Sequence, residues 1–160
     1  AVTALMNKSP QEVFDRFRRE FAHLQEGKTK KQYLVPYFMS GHPGCTVRDM
    51  VRLAEYIRDN NLYTEQVQDF TPTPMSVSTC MYYTGLDPFT GKPVHVATGR
   101  EKQVQRALLQ YREPKNRGLV LEGLKTAGRR DLIGSGPQCL AREYTGTMQK
   151  RSKTYQKPNR

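Results

Sequence analysis

The chain has 160 residues, of which 36% are hydrophobic, with no Trp and a formal net charge of +11 at pH 7. That length suits about one domain, and the modest apolar share allows a core while leaving part of the chain outside it. Cys45, Cys80 and Cys139 are far apart, which excludes a CxxC zinc module and an even-numbered disulfide framework.

The first strong element is "SPQEVFDRFRREFAHL". Ser9 is placed to cap a helix, Pro10 suits its first position, and Glu12 completes a capping box. Val13, Phe14, Phe17, Phe21 and Leu24 recur at three- and four-residue steps, so one face is apolar. "YLVPYFM", residues 33–39, reads as a strand covered on both faces, as in a parallel sheet, with Pro36 marking an edge or a bulge. "TVRDMVRLAEYIRDNN" is the next helix. Thr46 caps it with Asp49, Val47, Met50, Val51, Ala54 and Ile57 form the buried stripe, and Arg48, Arg52, Glu55 and Arg58 face water. "TEQVQDF" follows as a second strand, and two strands joined by a helix of this length form a parallel βαβ unit.

Beyond residue 70 the composition shifts to Thr, Pro and Gly. "YYTGLDPFTGKPVHV" reads as a ribbon turning at Asp87, Pro88 and Gly91. "REKQVQRALLQY" is a helix with Val104, Ala107, Leu108 and Tyr111 on one side, and "PKNRGLVLEGLKTAG" is another, entered at Pro114 and stopped near Gly128. "RRDLIGSGPQCL" makes one more turn and then runs extended. Residues 141–160 are polar, basic and aperiodic, which predicts disorder. The chain therefore divides as 1–75, 76–140 and a tail, 141–160. No run is apolar enough to cross a bilayer and no signal peptide is visible, so no membrane role and a reducing cytoplasmic setting are expected. A start at Ala1 without an initiator Met points to processing or truncation.

The chemistry concentrates at "SGHPGCT". Glycines let a backbone turn sharply and let a ligand approach without a Cβ in the way. The following helix opens with free N–H groups, and ligands of α/β folds bind at the carboxyl ends of strands. Gly41, His42, Pro43, Gly44, Cys45 and Thr46 are the candidates, joined by Asp69, Thr71 and Thr73 on the same rim if the strands are parallel. His42 suits an acid or base, a ligand, or a residue that orients loop backbone, the last being the commoner use in a βα loop. Cys45 sits where a helix N-terminus could lower its pKa, but a buried, inert thiol is the expectation.

Together, "YLVPYFMSGHPGCT", "EQVQDFTPTPMSVSTCMYYTGLDPFTGKPV", "REKQVQRALLQY" and "LKTAGRRDLIGSGPQCL" resemble the YgiQ-type radical SAM proteins, an uncharacterised family. The resemblance runs from Val2 to Leu140. It implies an α/β fold: the terminal βαβ part of a partial (β/α)6 TIM-like barrel, followed by a small α+β extension. In such proteins a CxxxCxxC loop holds a 4Fe-4S cluster, and S-adenosyl-L-methionine bound at its open iron yields a 5′-deoxyadenosyl radical. The turn after the fifth barrel strand helps position S-adenosylmethionine, a role the resemblance carries to Gly41, Pro43, Gly44 and Thr46, and from the sixth strand's end to Thr71, Pro72 and Thr73. His42 and Asp69 stand as substrate-facing or loop-orienting residues. This chain has no CxxxCxxC, so the resemblance makes it a carboxyl-terminal piece, inactive alone and binding neither cofactor alone, whose partner is the amino-terminal part of the same polypeptide. Two other readings stand beside it. The charge and tail tyrosines fit a weak RNA-binding module, because aromatic rings stack on bases, and the region after residue 82 fits a protein-interaction domain.

Overall fold

The computed structural model describes residues 2–6, 8–30, 32–63 and 66–143. In chain order the elements are α1 (Val2–Leu5), α2 (Gln11–Leu24), β1 (Phe38–Ser40), α3 (Val47–Asp59), β2 (Val67–Asp69), α4 (Val77–Thr84), α5 (Gly99–Leu109) and α6 (Arg117–Thr126). Short 3-10 turns lie at Pro114–Asn116 and Arg130–Leu132.

β1 and β2 pair in parallel, Phe38 with Val67, Met39 with Gln68 and Ser40 with Asp69. α3 connects them as the sequence predicts, and its capping box forms: the Thr46 hydroxyl accepts from the Asp49 N–H and the Asp49 carboxylate accepts from the Thr46 N–H. Met50, Val51, Ala54 and Ile57 are buried, and Val47 is half-buried. α5 lies beside α3 and runs back along the strands. Its Lys102 and Gln105 meet the carboxyl ends of β1 and β2. At its other end Tyr111 packs edge-on against Tyr63, ahead of β2, with ring centroids 6.1 Å apart. α6 closes over α5 at Gly123, where a Cβ would come within 2.8 Å of Val104 Cγ1. One core results, drawing Cys45, Val51, Ile57 and Val67 from one side of position 76 and Val104, Leu108, Val120, Leu124 and Leu132 from the other.

Because successive side chains of a strand point to opposite faces, Phe38, Ser40, Val67 and Asp69 face the helices. Tyr37, Met39 and Gln68 point the other way, with the Tyr37 hydroxyl bonded to Gln68 Oε1. Gln68 and Tyr37 are exposed. Parallel sheets are normally covered on both faces, so this pair presents one covered and one open face.

Several expectations are corrected. The strand expected over 33–39 pairs only from Phe38 on, and Tyr33 and Val35 are exposed at 81% and 65%. Pro36 has no N–H for a ladder, and the chain before it finds no neighbouring strand among the described residues. α2 starts at Gln11 with Pro10 as N-cap and no side-chain cap bond, so the Ser9–Glu12 box does not form. Its apolar stripe is open, with Phe17 51% and Leu24 63% exposed. Glu55 and Arg58 do not simply face water. Glu55 takes a fork from Arg129 at 2.7 and 2.8 Å, and Arg58 reaches the Gln138 carbonyl; both tie α3 to the carboxyl-terminal segment.

The ribbon expected over 82–96 is shorter than expected: its turn at Asp87–Gly91 and the antiparallel bridge Leu86–Pro93 form, with Val94 donating to Gly85 and Asp87 to Lys92, but residues 82–84 belong to helix α4. Val77, Thr79, Tyr82 and Tyr83 favour strands by type, but Ser76 caps a helix through the Thr79 N–H and the fully buried Met81 anchors it. Residues 141–143 are not loose: Ala141 bridges Ile133, and Arg117 donates to the carbonyls of Arg142 and Glu143. The rest of the expected disordered tail lies outside the described residues. No helix among the described residues is long and apolar enough to cross a membrane.

Candidate functional site

The carboxyl ends of β1 and β2 form one rim. The Phe70 N–H donates to the Ser40 carbonyl at 2.7 Å, extending the pairing past both strands. Ser40 is buried and its hydroxyl donates to Asp69 Oδ1 at 2.5 Å, while Asp69 Oδ2 pairs with Arg106 of α5 at 3.1 Å. The rim thus brings Ser40 and His42 against Asp69 and Phe70.

Gly41 and Gly44 have φ of +69° and +84°, the left-handed region that favours glycine. The chain reverses there so that α3 can start at Val47, seven residues after β1 ends at Ser40. Both positions are also closely packed: a Cβ on Gly41 would stand 3.2 Å from Lys102 Cε, and one on Gly44 would fall on Leu5. The N–H groups of the turn are already paired, Gly41 to Gln105 Oε1 at 3.0 Å and Gly44 to the His95 carbonyl at 2.7 Å. Pro43 is fully buried. The Thr46 hydroxyl donates to Asp49 Oδ2 at 2.6 Å. Burial alone would raise the Asp49 pKa, but the Thr46 hydroxyl and N–H bonds outweigh it and hold the carboxyl below its ordinary range.

His42 is 3% exposed. Nδ1 lies 2.7 Å from the Pro43 carbonyl and Nε2 2.9 Å from Ser78 Oγ of α4. Its ring meets Phe70 edge-on at 5.1 Å, and Phe70 stacks on Tyr82. Burial lowers the His42 pKa, opposed by the Pro43 bond and assisted by Lys8. The loop-orienting geometry is therefore present. Beyond Phe70 the strap 71–76 is exposed apart from half-buried Pro72 and Ser76. The Thr73 N–H donates to Thr79 Oγ1 at 2.8 Å, Thr79 donates back to the Thr73 carbonyl at 2.7 Å, and Met75 is held at φ +65° with its side chain fully exposed.

A groove of about 430 Å³ runs along the free edge of β1, between α1 and α3, lined by Val2, Met6, Phe38, Met39, His42 and Tyr56 among others. The cysteines do not converge. Cys45 is buried in the core with its thiol pushed up to about 12, chiefly by burial, Cys80 is exposed on α4, and Cys139 is half-buried. Among the described residues no group of three or more His, Cys, Asp and Glu could hold a metal ion.

Sequence reasoning missed Gln105. It is fully buried, its Oε1 accepts from Gly41 and its Nε2 donates to the Cys45 carbonyl at 2.9 Å, so one side chain pins both ends of the turn. The signal was present: Gln105 lies three and four residues before Leu108 and Leu109, on the apolar stripe of α5, where a polar side chain needs a partner. Lys102, which donates to the Phe70 carbonyl at 3.2 Å, and Ser78 carried no comparable signal.

Residues 65–160 match the family described as domain of unknown function DUF3362. The chain is 59% identical over 142 residues to a UPF0313 protein of Methanosarcina acetivorans, covering 88% of this chain and 19% of that protein. It is 48% identical over 160 residues to a UPF0313 protein of Methanocella arvoryzae, covering 99% of this chain and 26% of the relative. A UPF0313 protein of Clostridium perfringens is 51% identical over 143 residues, covering 89% of this chain and 22% of its own length. The chain thus spans about a fifth to a quarter of the length of these curated relatives. No solved structure matches it.

Proposed function

The chain belongs to the DUF3362 family, and from that premise we propose that it is the carboxyl-terminal part of a radical S-adenosylmethionine enzyme, forming one wall of the cofactor and substrate cavity. The observation that carries this reading is the parallel β1–α3–β2 unit with its glycine turn, whose rim brings Ser40 and His42 against Asp69 and Phe70; on this reading Gly41, Pro43, Gly44 and Thr46 of the turn and Thr71, Pro72 and Thr73 of the strap line the cavity. Two further facts support it. The open face of the sheet calls for more structure on that side, and the UPF0313 relatives are several times longer.

The residues present do not fit a 4Fe-4S cluster, because Cys45 is sealed in the core and Cys80 and Cys139 stand on other elements. The cluster belongs to the longer polypeptide, and this chain alone is inactive. Toward S-adenosylmethionine this chain would contribute backbone surface rather than charged ligands. With the N–H groups of Gly41 and Gly44 already paired, the turn acts as a rigid wall, and the exposed strap at Thr71–Thr73 supplies the contact surface. The reading implies a reducing, cytoplasmic setting. The RNA-binding reading rests on the net charge and the tail tyrosines alone, and most of that tail lies outside the described residues.

The test uses the full-length Methanosarcina acetivorans relative, purified anaerobically and reconstituted with iron and sulfide. The expected result is iron–sulfur absorbance and release of 5′-deoxyadenosine from S-adenosylmethionine that depends on a reductant. A colourless protein that leaves S-adenosylmethionine intact overturns the reading.

A further inference from the structure

The contacts of His42 fix the tautomer of its neutral ring. The Pro43 carbonyl can only accept, so Nδ1 carries the proton of that 2.7 Å bond. In the neutral ring Nε2 is then bare, and the 2.9 Å contact to Ser78 is a bond donated by the serine hydroxyl. The side chain bridges two elements with opposite roles at its two nitrogens: donor to the glycine turn, acceptor from the first turn of α4. Its ring extends the bridge, because Phe70 lies between His42 and Tyr82, with centroids at 5.1 and 5.7 Å. Ser78 and Tyr82 are four residues apart and share one face of α4. One buried histidine therefore holds the helix at two points a turn apart.

That helix governs the rim. The strap 71–76 runs from Phe70, whose carbonyl Lys102 grips, into α4. Its middle is fixed by reciprocal bonds between Thr73 and Thr79 and by the Ser76 hydroxyl on the Thr73 carbonyl at 3.0 Å. These refer Thr73 to α4, while Thr71 keeps a longer link to the sheet, its hydroxyl donating to the Asp69 carbonyl at 3.4 Å. A non-glycine residue at φ +65°, Met75, persists only where its surroundings over-determine the backbone, and here those surroundings are the first turn of α4.

We propose that His42 is a positioning residue: in its neutral Nδ1–H form it seats α4 against the glycine turn, and through α4 it sets where Thr71, Pro72 and Thr73 stand on the rim. That this placement governs affinity for an adenosyl sulfonium ligand rests on the radical S-adenosylmethionine reading, whereas the seating of α4 does not.

Two near-isosteric variants split the two nitrogens. His42→Asn keeps a donor for the Pro43 carbonyl and loses the acceptor for Ser78, while His42→Gln reaches the Nε2 position and keeps that acceptor. Ser78→Ala removes the same bond from the other side. Amide hydrogen exchange over residues 77–84, referenced to α5 and α6, is measured in the full chain, and the dissociation constant for S-adenosylmethionine in the longer protein that carries it. In His42→Asn and Ser78→Ala, exchange of α4 is expected to rise about tenfold, the worth of one hydrogen bond, with α5 and α6 unchanged. His42→Gln stays close to the parent, and ligand affinity follows the same order at constant iron content. Nitrogen-15 shifts of the parent should report a protonated Nδ1 and a bare Nε2 at neutral pH. If α4 exchanges alike in all variants, His42 does not position it and the proposal falls. If α4 loosens but affinity holds in a protein that does bind the ligand, the link to the rim falls. A parent that neither forms the cluster nor binds S-adenosylmethionine overturns the functional reading, and the exchange result still decides the role of His42.

Discussion

α2 and α3 carry nearly the same pattern and meet opposite fates. Each has apolar residues at three- and four-residue steps: Val13, Phe14, Phe17, Phe21 and Leu24 in one, Val47, Met50, Val51, Ala54 and Ile57 in the other. α3 buries four of its five against β2, α5 and α6. α2 buries none of its residues, and touches α3 through polar groups, with Arg18 reaching Asn60 at 2.9 Å and Tyr56 donating to Asp15. Periodicity states that a face wants covering, whereas the supply of a partner is a property of the rest of the molecule. The same contrast divides the sheet, which is sealed by helices on one face and open at Tyr37 and Gln68 on the other.

The contrast breaks most readily in the core. Leu108→Ala should lose about 2–5 kcal/mol of unfolding free energy in denaturant melts, because the surrounding helices can collapse only partly onto the space. A loss below that range would mean that α3, α5 and α6 are packed as loosely as α2. Gly44→Ala should lose about 1–3 kcal/mol, since the new methyl meets Leu5 in a backbone region that favours glycine; a neutral result would show the turn to be adaptable. Gln105→Ala leaves the Gly41 N–H and the Cys45 carbonyl without their buried partner and is expected to lose about 1–3 kcal/mol. Gln105→Glu, which keeps the acceptor but not the donor, should separate the two bonds.

Acid sharpens the comparison at the site. The folded state holds His42 below its ordinary pKa of 6.5, so below that pH the unfolded chain takes up a proton that the folded chain refuses. Stability therefore falls as pH drops from about 6.5 toward the folded value. His42→Gln should flatten that part of the curve. An unchanged slope would assign the acid sensitivity elsewhere, for instance to Asp49, whose lowered pKa removes stability only at more acidic pH.

The smallest effect is expected on α2. Phe17→Ala should change the stability of this chain by no more than about 0.5 kcal/mol, because the ring is already half in water. In the longer protein the same change should have a several-fold larger effect if that face is covered there. The isolated chain, with its open stripe and strand edges that pair with no other strand among the described residues, should also show a thermal transition that depends on protein concentration. A high, sharp and concentration-independent transition would count against that.

Residue types made some of this legible. Thr46 and Asp49 announced a capping box, the glycines announced a sharp turn, and a helix between two short apolar runs announced parallel pairing. Cys45 proved buried, as expected of a small apolar residue behind a strand. The errors lie where local preference and tertiary contact disagree. Residues 77–84 carry strand-favouring side chains, but Met81 had a pocket to fill, and a helix fills it. Residues 33–37 carry a strand's composition, but pairing requires a neighbour, and Pro36 breaks the ladder before one is reached. Gln105 drew no reading from its type, although its position on the apolar stripe of α5 signals burial.

The order of letters alone determined α3 with its Thr46–Asp49 cap, the parallel βαβ unit and the sharp turn at Gly41 and Gly44, because these follow from steric limits and hydrogen bonds within a few residues. Only the tertiary structure decided which apolar stripe is covered, which distant groups Gln105 and His42 hold, and that residues 77–84 fold as helix α4. Those outcomes depend on contacts between residues some 35 to 65 positions apart, which no local pattern encodes.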